Sequence, residues 1–188
     1  MMTKIVTSVI LLFSTWSASA FSIDTNLFYL SDALSVTSDT TATKMFLDVS
    51  VNLDLSKKGD FTIGWGYSII SIGDEAGGTE TTFGLTEMGP RFGYFIDKER
   101  NWGIFLTYNL QATADYKQGS TEVEWRGSSL KAEIGYRPEL TENLLAGMHL
   151  IYYSASFSEQ LSGSTTFTLV SNSRSIIYPA FTLSYRFE

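Results

Sequence analysis

Apolar and polar residues alternate along most of this chain from about residue 21 onward. Successive side chains of a β-strand point to opposite faces of a sheet, so a period of two predicts strands. In the last segment the alternate apolar residues are Phe181, Leu183, Tyr185 and Phe187. The pattern predicts eight strands, which include residues 21–30, 45–55, 61–69, 91–96, 102–111, 130–137, 144–153 and 181–187.

The connections between these segments fall into two classes that alternate along the chain. Three are compact and charged, with the sequences SKKGD, DKERN and PELTEN. Their centres lie about 41 residues apart, and each interval holds two strands, as hairpins do, whereas a propeller blade needs four strands per repeat. The other four are rich in Ser, Thr and Gly and are predicted to be long loops at one end of the structure, at residues 32–43, 73–81, 118–124 and 159–173.

The two faces of the predicted strands differ in size and polarity. One face carries large apolar and aromatic residues, including Trp65, Trp102 and most of the tyrosines. The other face carries charged residues and glycines at positions 64, 66, 93, 103, 135 and 147. An eight-stranded barrel has an interior only wide enough for side chains, so the small and charged face suits a crowded lumen. The sequence therefore predicts an all-β, eight-stranded antiparallel up-and-down transmembrane β-barrel, with a soluble secreted barrel as the alternative.

Composition and the first twenty residues refine this interpretation. The chain has 188 residues, no cysteine and a formal charge of −7, which suits one domain without disulfides and argues against nucleic acid as a partner. Residues 1–20 contain Lys4, an apolar stretch and the small-residue site Ala18-Ser19-Ala20, which together predict a cleavable signal peptide. The predicted barrel domain is then residues 21–188. No later stretch approaches about 18 apolar residues, so no transmembrane helix is predicted.

The last strand also carries a family resemblance. Its sequence FTLSYRF resembles the C-terminal signature of Gram-negative outer-membrane barrels, and SYRF is similar to the ending of small OmpA/OmpX-type eight-stranded barrels. The resemblance implies location in the bacterial outer membrane, contact with outer-membrane lipid and lipopolysaccharide, and recognition by the barrel-assembly machinery. The residues that this machinery would recognise are Phe181, Leu183, Tyr185 and Phe187. The chain departs from the signature in one position, because Glu188 follows the Phe that is usually terminal.

Charged residues on the inward face are the main candidates for a site. Those with inward parity are Asp24, Asp48, Glu87, Arg91, Lys131 and Glu133, and those predicted near the periplasmic rim are Asp54, Arg137 and Arg186. Positive and negative side chains are present in nearly equal numbers, whereas an ion-selective pore favours a ring of charges of one sign. Unpaired buried charges would be costly, so we expect cross-strand pairing that closes the lumen. Arg91 is expected to meet Glu133 or Asp48. Lys131 is expected to meet Asp48 or Glu87.

Catalytic and metal chemistry find little support in the sequence. The one histidine is His149, and Ser154 and Ser156 follow it at roughly 16 and 23 Å along a strand, too far for a base and its nucleophile. The histidine is therefore predicted as an interior residue, and no catalytic residue or cofactor is assigned. GDEAGGTE lacks the oxygen spacing of an EF-hand loop, so no metal site is assigned either.

The predicted function follows from these exclusions. We expect a monomeric, non-enzymatic structural component of the cell envelope with a polar, closed lumen. The segment SEQLSGSTTFTLVSNS contains apolar residues that suit adhesion to an unknown surface ligand, or else it extends the strands above the membrane. A lipid A-modifying barrel enzyme and a narrow channel for small solutes remain as alternatives.

Overall fold

The computed structural model describes residues 20–35, 39–55, 60–161 and 166–187. Its nine strands are β1 (Phe21–Ser35), β2 (Asp39–Asp54), β3 (Phe61–Ala76), β4 (Thr79–Phe95), β5 (Trp102–Gln118), β6 (Thr121–Tyr136), β7 (Glu139–Thr141), β8 (Leu144–Leu161) and β9 (Thr168–Phe187). The predicted signal peptide up to residue 19, most of the SKKGD connection and Glu188 lie outside the described residues. The domain boundary at residue 21 therefore stays a prediction.

Eight of the described strands form a closed antiparallel ring in the order β1-β2-β3-β4-β5-β6-β8-β9. Each strand pairs with its neighbour along the chain, and β9 returns to pair with β1. The predicted eight-stranded up-and-down barrel is confirmed. β7 is a three-residue addition, paired with β8, that the sequence pattern does not predict. The lower end of the barrel is defined here as the end with the β4–β5 connection, and the upper end as the end with the β3–β4 and β5–β6 hairpins.

A belt of exposed apolar side chains surrounds the lower part of the barrel. On β5 every second residue from Trp102 to Leu110 is large, apolar and exposed, and the residues between them are buried. A belt of about nine residues per strand matches the length of a transmembrane strand. Apolar residues point outward and buried charges point inward, so the exterior suits hydrocarbon and the inverted pattern predicted from the sequence is confirmed. Within the described residues, no helix is long and apolar enough to cross a membrane.

The upper connections are shorter than the sequence analysis predicts. The loops predicted at 73–81 and 118–124 are wrong, because only two residues join β3 to β4 and two join β5 to β6. Gly77, Gly78 and Gly119 in these hairpins have positive φ angles of 59°, 79° and 56°, which glycine adopts without strain. Most of the other predicted loops also belongs to strands, so the strands extend above the belt. Near the hairpins both faces of these strands meet water, so their polar residues show no alternation there.

Register shifts interrupt four neighbouring ladders of the ring near the top of the belt and above it. They fall at residues 88–91 of β4, 109–112 of β5, 126–127 of β6 and 157–159 of β8. A bulge adds one residue to a strand and so reverses the alternation of inside and outside. The sequence pattern predicts Gln111 on the inward face, but the structure exposes it, and Ala112 takes the lumen position. A prediction that assumes strict alternation of inward and outward residues does not include such an extra residue.

Side chains fill the lumen in two layers. The lower layer holds the buried charged residues. The upper layer is an apolar cluster of fully buried residues: Phe46, Ile70, Ile72, Phe83, Leu85, Ala112, Ala114, Ile151, Tyr153, Ala155, Phe157, Tyr178 and Ala180. The predicted polar lumen therefore describes the lower layer only.

Candidate functional site

The charged layer of the lumen is positioned by alternation along the strands. The six charged residues predicted on the inward face are all buried: Asp24, Asp48, Glu87, Arg91, Lys131 and Glu133. Arg137, directly after β6, and His149 on β8 are buried beside them. Glycines on neighbouring strands leave space for large lumen side chains, with Gly93 and Gly103 against Phe105 and Gly135 against His149. At Gly135 an added Cβ would overlap the ring of His149, so this position has room only for glycine.

Glu133 has three polar partners in this layer, which come from three other strands. Arg91 donates two hydrogen bonds to its carboxylate, from Nη1 to Oε1 and from Nη2 to Oε2, the second at 3.0 Å. Asn26 Nδ2 donates to Oε2 at 3.1 Å, and Nδ1 of His149 lies 3.1 Å from the same oxygen. In a bidentate arginine–carboxylate pair of this kind the hydrogen bonds are charge-assisted, and the two parallel bonds fix the geometry of the pair. The predicted pairing of Arg91 with Glu133 is confirmed.

Lys131 connects the carboxylates of two other strands. Its Nζ lies 2.5 Å from Asp48 Oδ1 and 3.4 Å from Glu87 Oε1. Glu87 also accepts hydrogen bonds from Ser129 Oγ at 2.5 Å and from Tyr153 Oη at 3.1 Å. One ammonium therefore links β2, β4 and β6 across the lumen, and the pairings predicted for Lys131 are confirmed.

Arg137 extends the charged layer toward the lower end. Its Nη1 lies 2.9 Å from Asp24 Oδ1, and the two side chains form a buried ion pair. The guanidinium carbon lies 4.9 Å and 5.0 Å from the ring centres of Phe95 and Phe105, within cation–π range. Asn52 Nδ2 donates to Asp24 Oδ2 at 3.0 Å. The two aromatic rings and one carboxylate together enclose this buried cation.

The lower rim differs from the prediction. Arg186, predicted as a member of the network, is only half-buried, and no ion pair joins it to another charged residue of the described ranges. It stands at the end of β9, where the barrel wall no longer encloses it. The rim instead holds Arg100, which donates to the two carboxylate oxygens of Asp54 at 2.7 and 2.8 Å. Arg100 lies in a turn, where strand parity makes no prediction.

His149 is the one histidine of the chain and would be the general base if this barrel were an enzyme. Its ring stacks on Phe105, with centroids 5.4 Å apart, and its Nδ1 faces Glu133. Ser154 bonds to Ser175 at 3.3 Å, and Ser156 is exposed. Among the described residues, no hydrogen bond joins the histidine to a serine, and no three His, Cys, Asp or Glu residues form a group that could hold a metal.

A cavity at the upper mouth of the lumen is not predicted by the sequence analysis. It has a volume of about 310 Å³, and its lining combines residues 171–174 of β9 with the aromatic residues Phe83, Tyr116, Trp125 and Phe157. The rings of Tyr116 and Trp125 stack with centroids 5.1 Å apart, and the guanidinium carbon of Arg174 lies 4.5 Å from the Phe83 ring centre. Aromatic walls with a few polar groups are typical of small-molecule sites. The lining residues lie at strand ends above the belt, where the alternation of apolar and polar residues does not predict which side chains face inward.

The predicted assembly residues lie on the outer face of β9. Phe181, Leu183, Tyr185 and Phe187 are all exposed. The Phe187 ring also stacks on Phe21 of β1, with centroids 4.3 Å apart and planes within 5°. This stacked pair joins the last strand to the first at the lower end. Recognition of these residues by assembly machinery stays a prediction.

An apolar exterior, a ring of eight strands and a lumen filled by side chains define the class of fold, which is the eight-stranded barrel of outer-membrane proteins. The solved structure of Neisserial surface protein A (NspA) is similar, with a TM-score of 0.54 over 90% of this chain and 98% of that chain, at 16% identity. The translocator domain of the autotransporter NalP from Neisseria meningitidis aligns with a TM-score of 0.47 over 96% of this chain and 67% of that chain, at 8% identity. At such identity, the similarity to NspA concerns the fold alone. No family model and no curated protein sequence matches the chain.

Proposed function

We propose that this chain is a monomeric, non-enzymatic barrel of the bacterial outer membrane and that it serves as a structural component of the envelope with a closed lumen. The apolar belt and the barrel fold support a membrane location. The alternating apolar residues at the end of β9, which resemble the C-terminal signature of outer-membrane barrels, support the outer membrane in particular.

The filling of the lumen is the observation that carries this proposal. Arg91, Lys131 and Arg137 each lie within ion-pair distance of a carboxylate from another strand. The apolar layer above them includes Phe46 and Ile70, both 1% exposed. A permeating ion would have to separate the buried pairs and then lose its water in the apolar layer, and both steps are costly.

Planar-bilayer conductance tests the closed lumen. Purified protein inserted in a lipid bilayer is expected to give no stable single-channel steps. Vesicles from the same preparation must contain folded, inserted protein, which protection of the barrel from added protease establishes. Steady steps from inserted wild-type protein would favour the narrow channel instead.

The lipid A-modifying alternative has a separate test. Lipid A from Gram-negative cells that express the protein is expected to have the same masses as lipid A from cells with an empty vector. His149→Ala is the matched variant, because its ring is the one imidazole of the chain. A new lipid A mass that appears with wild type and disappears with His149→Ala would establish an enzyme.

Adhesion to a surface ligand is a second candidate function. Two observations at the upper end favour it: the aromatic cavity, and Leu169, which is 89% exposed at the start of β9. An apolar side chain that projects so far into water suits contact with a partner. Attachment of expressing cells to epithelial monolayers is expected to fall with Leu169→Ser, and equal attachment of the two would argue against adhesion through this residue.

A further inference from the structure

The ring of strands is paired unevenly between β1 and β9. Their ladder covers only residues 21–27 of β1 and 181–187 of β9. Above it, β1 stays paired with β2, and β9 stays paired with β8. The facing edges of residues 28–35 and 168–180 therefore have no strand partner within the described part of the chain. We name this opening the β1–β9 seam.

Two hydrogen bonds set the direction of the backbone groups along these strands. Asp54 N donates to Ala20 O, so even-numbered residues of β1 direct their backbone groups toward β2. Arg186 N donates to Asn143 O, so even-numbered residues of β9 direct theirs toward β8. The odd-numbered residues of β1, and those of β9 from 173 to 179, therefore direct their N–H and C=O groups into the seam, below the register shift of β9 at residues 169–172.

Pro179 accounts for the point at which the ladder stops. The last pair is Leu27–Phe181, and in the same register the next hydrogen-bonded pair would be Tyr29–Pro179, because hydrogen-bonded and non-hydrogen-bonded pairs alternate. An N–H at position 179 would donate to the carbonyl of Tyr29, but proline has no N–H. The strands therefore lose their ladder at this proline, and the carbonyl of Tyr29 loses its partner.

The side chains at the seam are unusually accessible. Tyr29 is 64% exposed, whereas the six other lipid-facing tyrosines of the described chain are 42–45% exposed. Ile177, across the seam, is 66% exposed, compared with 46% for Ile104 and 45% for Ile134 on β5 and β6. Each of the two seam residues lacks a neighbour on one side, so a groove runs between them.

The seam begins at the depth of the apolar belt. Tyr29 pairs with Met45 and Ile177 pairs with Tyr152, and all four side chains are exposed on the lipid-facing surface. Backbone N–H and C=O groups cannot be left facing hydrocarbon without a partner. An occupant of the groove must therefore supply both hydrogen-bond donors and acceptors, and it must also carry apolar chains that fit beside Tyr29 and Ile177.

We propose that the β1–β9 seam binds the lipid region of lipopolysaccharide, an inference that rests on the proposed outer-membrane location. The acyl chains of this glycolipid are partly amide-linked and hydroxylated, so they both donate and accept hydrogen bonds. The ester linkages of a glycerophospholipid only accept, and they leave the free N–H groups of the seam unpaired. Above Ile177, the exposed hydroxyls of Ser173 and Ser175 continue the groove toward the level of the sugars.

Spin labels at two matched positions test this site. The chain has no cysteine, so Ile177→Cys in the seam and Ile104→Cys in the belt of β5 each give one labelling position. The probe is deep-rough lipopolysaccharide added to phosphatidylcholine vesicles that contain the labelled protein. We expect it to slow the motion of the label at 177 and to leave the label at 104 unchanged.

Pro179→Val tests the cause of the opening. It restores an N–H at position 179, so the ladder extends by one hydrogen-bonded pair and the seam narrows. Lipopolysaccharide retained by the protein, measured by native mass spectrometry, is expected to fall about tenfold because two or so hydrogen bonds are lost. Leu106→Val on β5, in the same belt but far from the seam, is expected to retain as much lipid as wild type.

The outcomes separate this inference from the proposed function. An unchanged label at 177, an equal response at both positions, or equal retention by Pro179→Val and wild type would each overturn the seam site. The control adds the same amount of phosphatidylcholine in place of lipopolysaccharide. Equal slowing of the label at 177 in this control would overturn the choice of lipopolysaccharide. In all of these cases the label at 104 still reports contact with lipid. A label at 104 that is accessible to water and not to lipid would overturn the membrane location itself.

Discussion

Replacement of Arg91 by methionine tests whether the buried charges hold the barrel together. Methionine keeps a long, unbranched side chain but removes the guanidinium that donates twice to Glu133. Glu133 would keep Asn26 and His149 as neighbours but would lose its permanent positive partner. Both charged side chains are almost fully enclosed, at 3% and 0% exposure, so water cannot replace the lost interaction.

The size of the effect follows from this burial. Loss of one member of a buried ion pair typically costs about 3–5 kcal/mol, because the remaining charge is left uncompensated. Since about 1.4 kcal/mol corresponds to a factor of ten, the folding equilibrium constant falls roughly a hundredfold to several thousandfold. With a denaturant dependence of about 2 kcal/mol per molar urea, the unfolding midpoint moves by about 1.5–2.5 M.

Reversible urea unfolding in phospholipid vesicles, followed by tryptophan fluorescence, measures this change. The matched control is Arg126→Met, because Arg126 pairs with Glu124 at 2.7 Å but is 50% exposed, and its loss is expected to cost about 0–1 kcal/mol. The double variant Arg91→Met with Glu133→Gln should regain most of the loss, because it removes the stranded charge and keeps an acceptor for Asn26. Equal midpoints for Arg91→Met and Arg126→Met, or no recovery in the double variant, would refute the reasoning.

Three further predictions concern closure, assembly and packing of the barrel. The folded protein should migrate faster in SDS than the boiled protein, since a closed ring of ladders gives detergent few edges to attack; identical migration would contradict closure. Deletion of Phe187 with Glu188 should reduce outer-membrane levels far more than deletion of Glu188 alone, because the stack on Phe21 is lost only in the first case; similar levels would remove the role of the aromatic face. Gly135→Ala should destabilise the barrel by about 1–3 kcal/mol because its Cβ overlaps the His149 ring. Unfolding midpoints should show that His149→Ala in the same chain recovers part of this loss, and no recovery would place the strain elsewhere.

Parity along single strands is sufficient to predict which way most transmembrane side chains face. Arg91 and Lys131 are examples, because Arg91 precedes the outward-facing Phe92 and Lys131 follows the outward-facing Leu130. Their partners could also be predicted, since height above a compact turn limits which residues of other strands they reach. The opening between β1 and β9 could not be predicted in this way, because it depends on the register of two strands far apart in sequence.

Other features of the barrel could not be predicted from the alternation of apolar and polar residues, because their physical causes do not follow a period of two. Near the upper hairpins both faces of a strand meet water, so the polar residues around Gly77 and Gly119 resemble loops in sequence although backbone pairing continues up to these hairpins. The bulge before Ala112 reverses the alternation and moves Gln111 outward. The pairing of Arg100 with Asp54 joins a turn to a strand end, and turn residues have no parity.

The stacked rings of Phe21 and Phe187 have a consequence for the order in which the barrel folds. These residues are 187 − 21 = 166 positions apart in the chain. The neighbouring hairpins need only local contacts, whereas the ring can close only after the entropy of the intervening chain has been lost, which makes contacts of such long sequence separation slow. We therefore expect a curled, open sheet with two free edges to precede the closed barrel. The lifetime of that species determines how long its edges are available to pair with another unfinished chain.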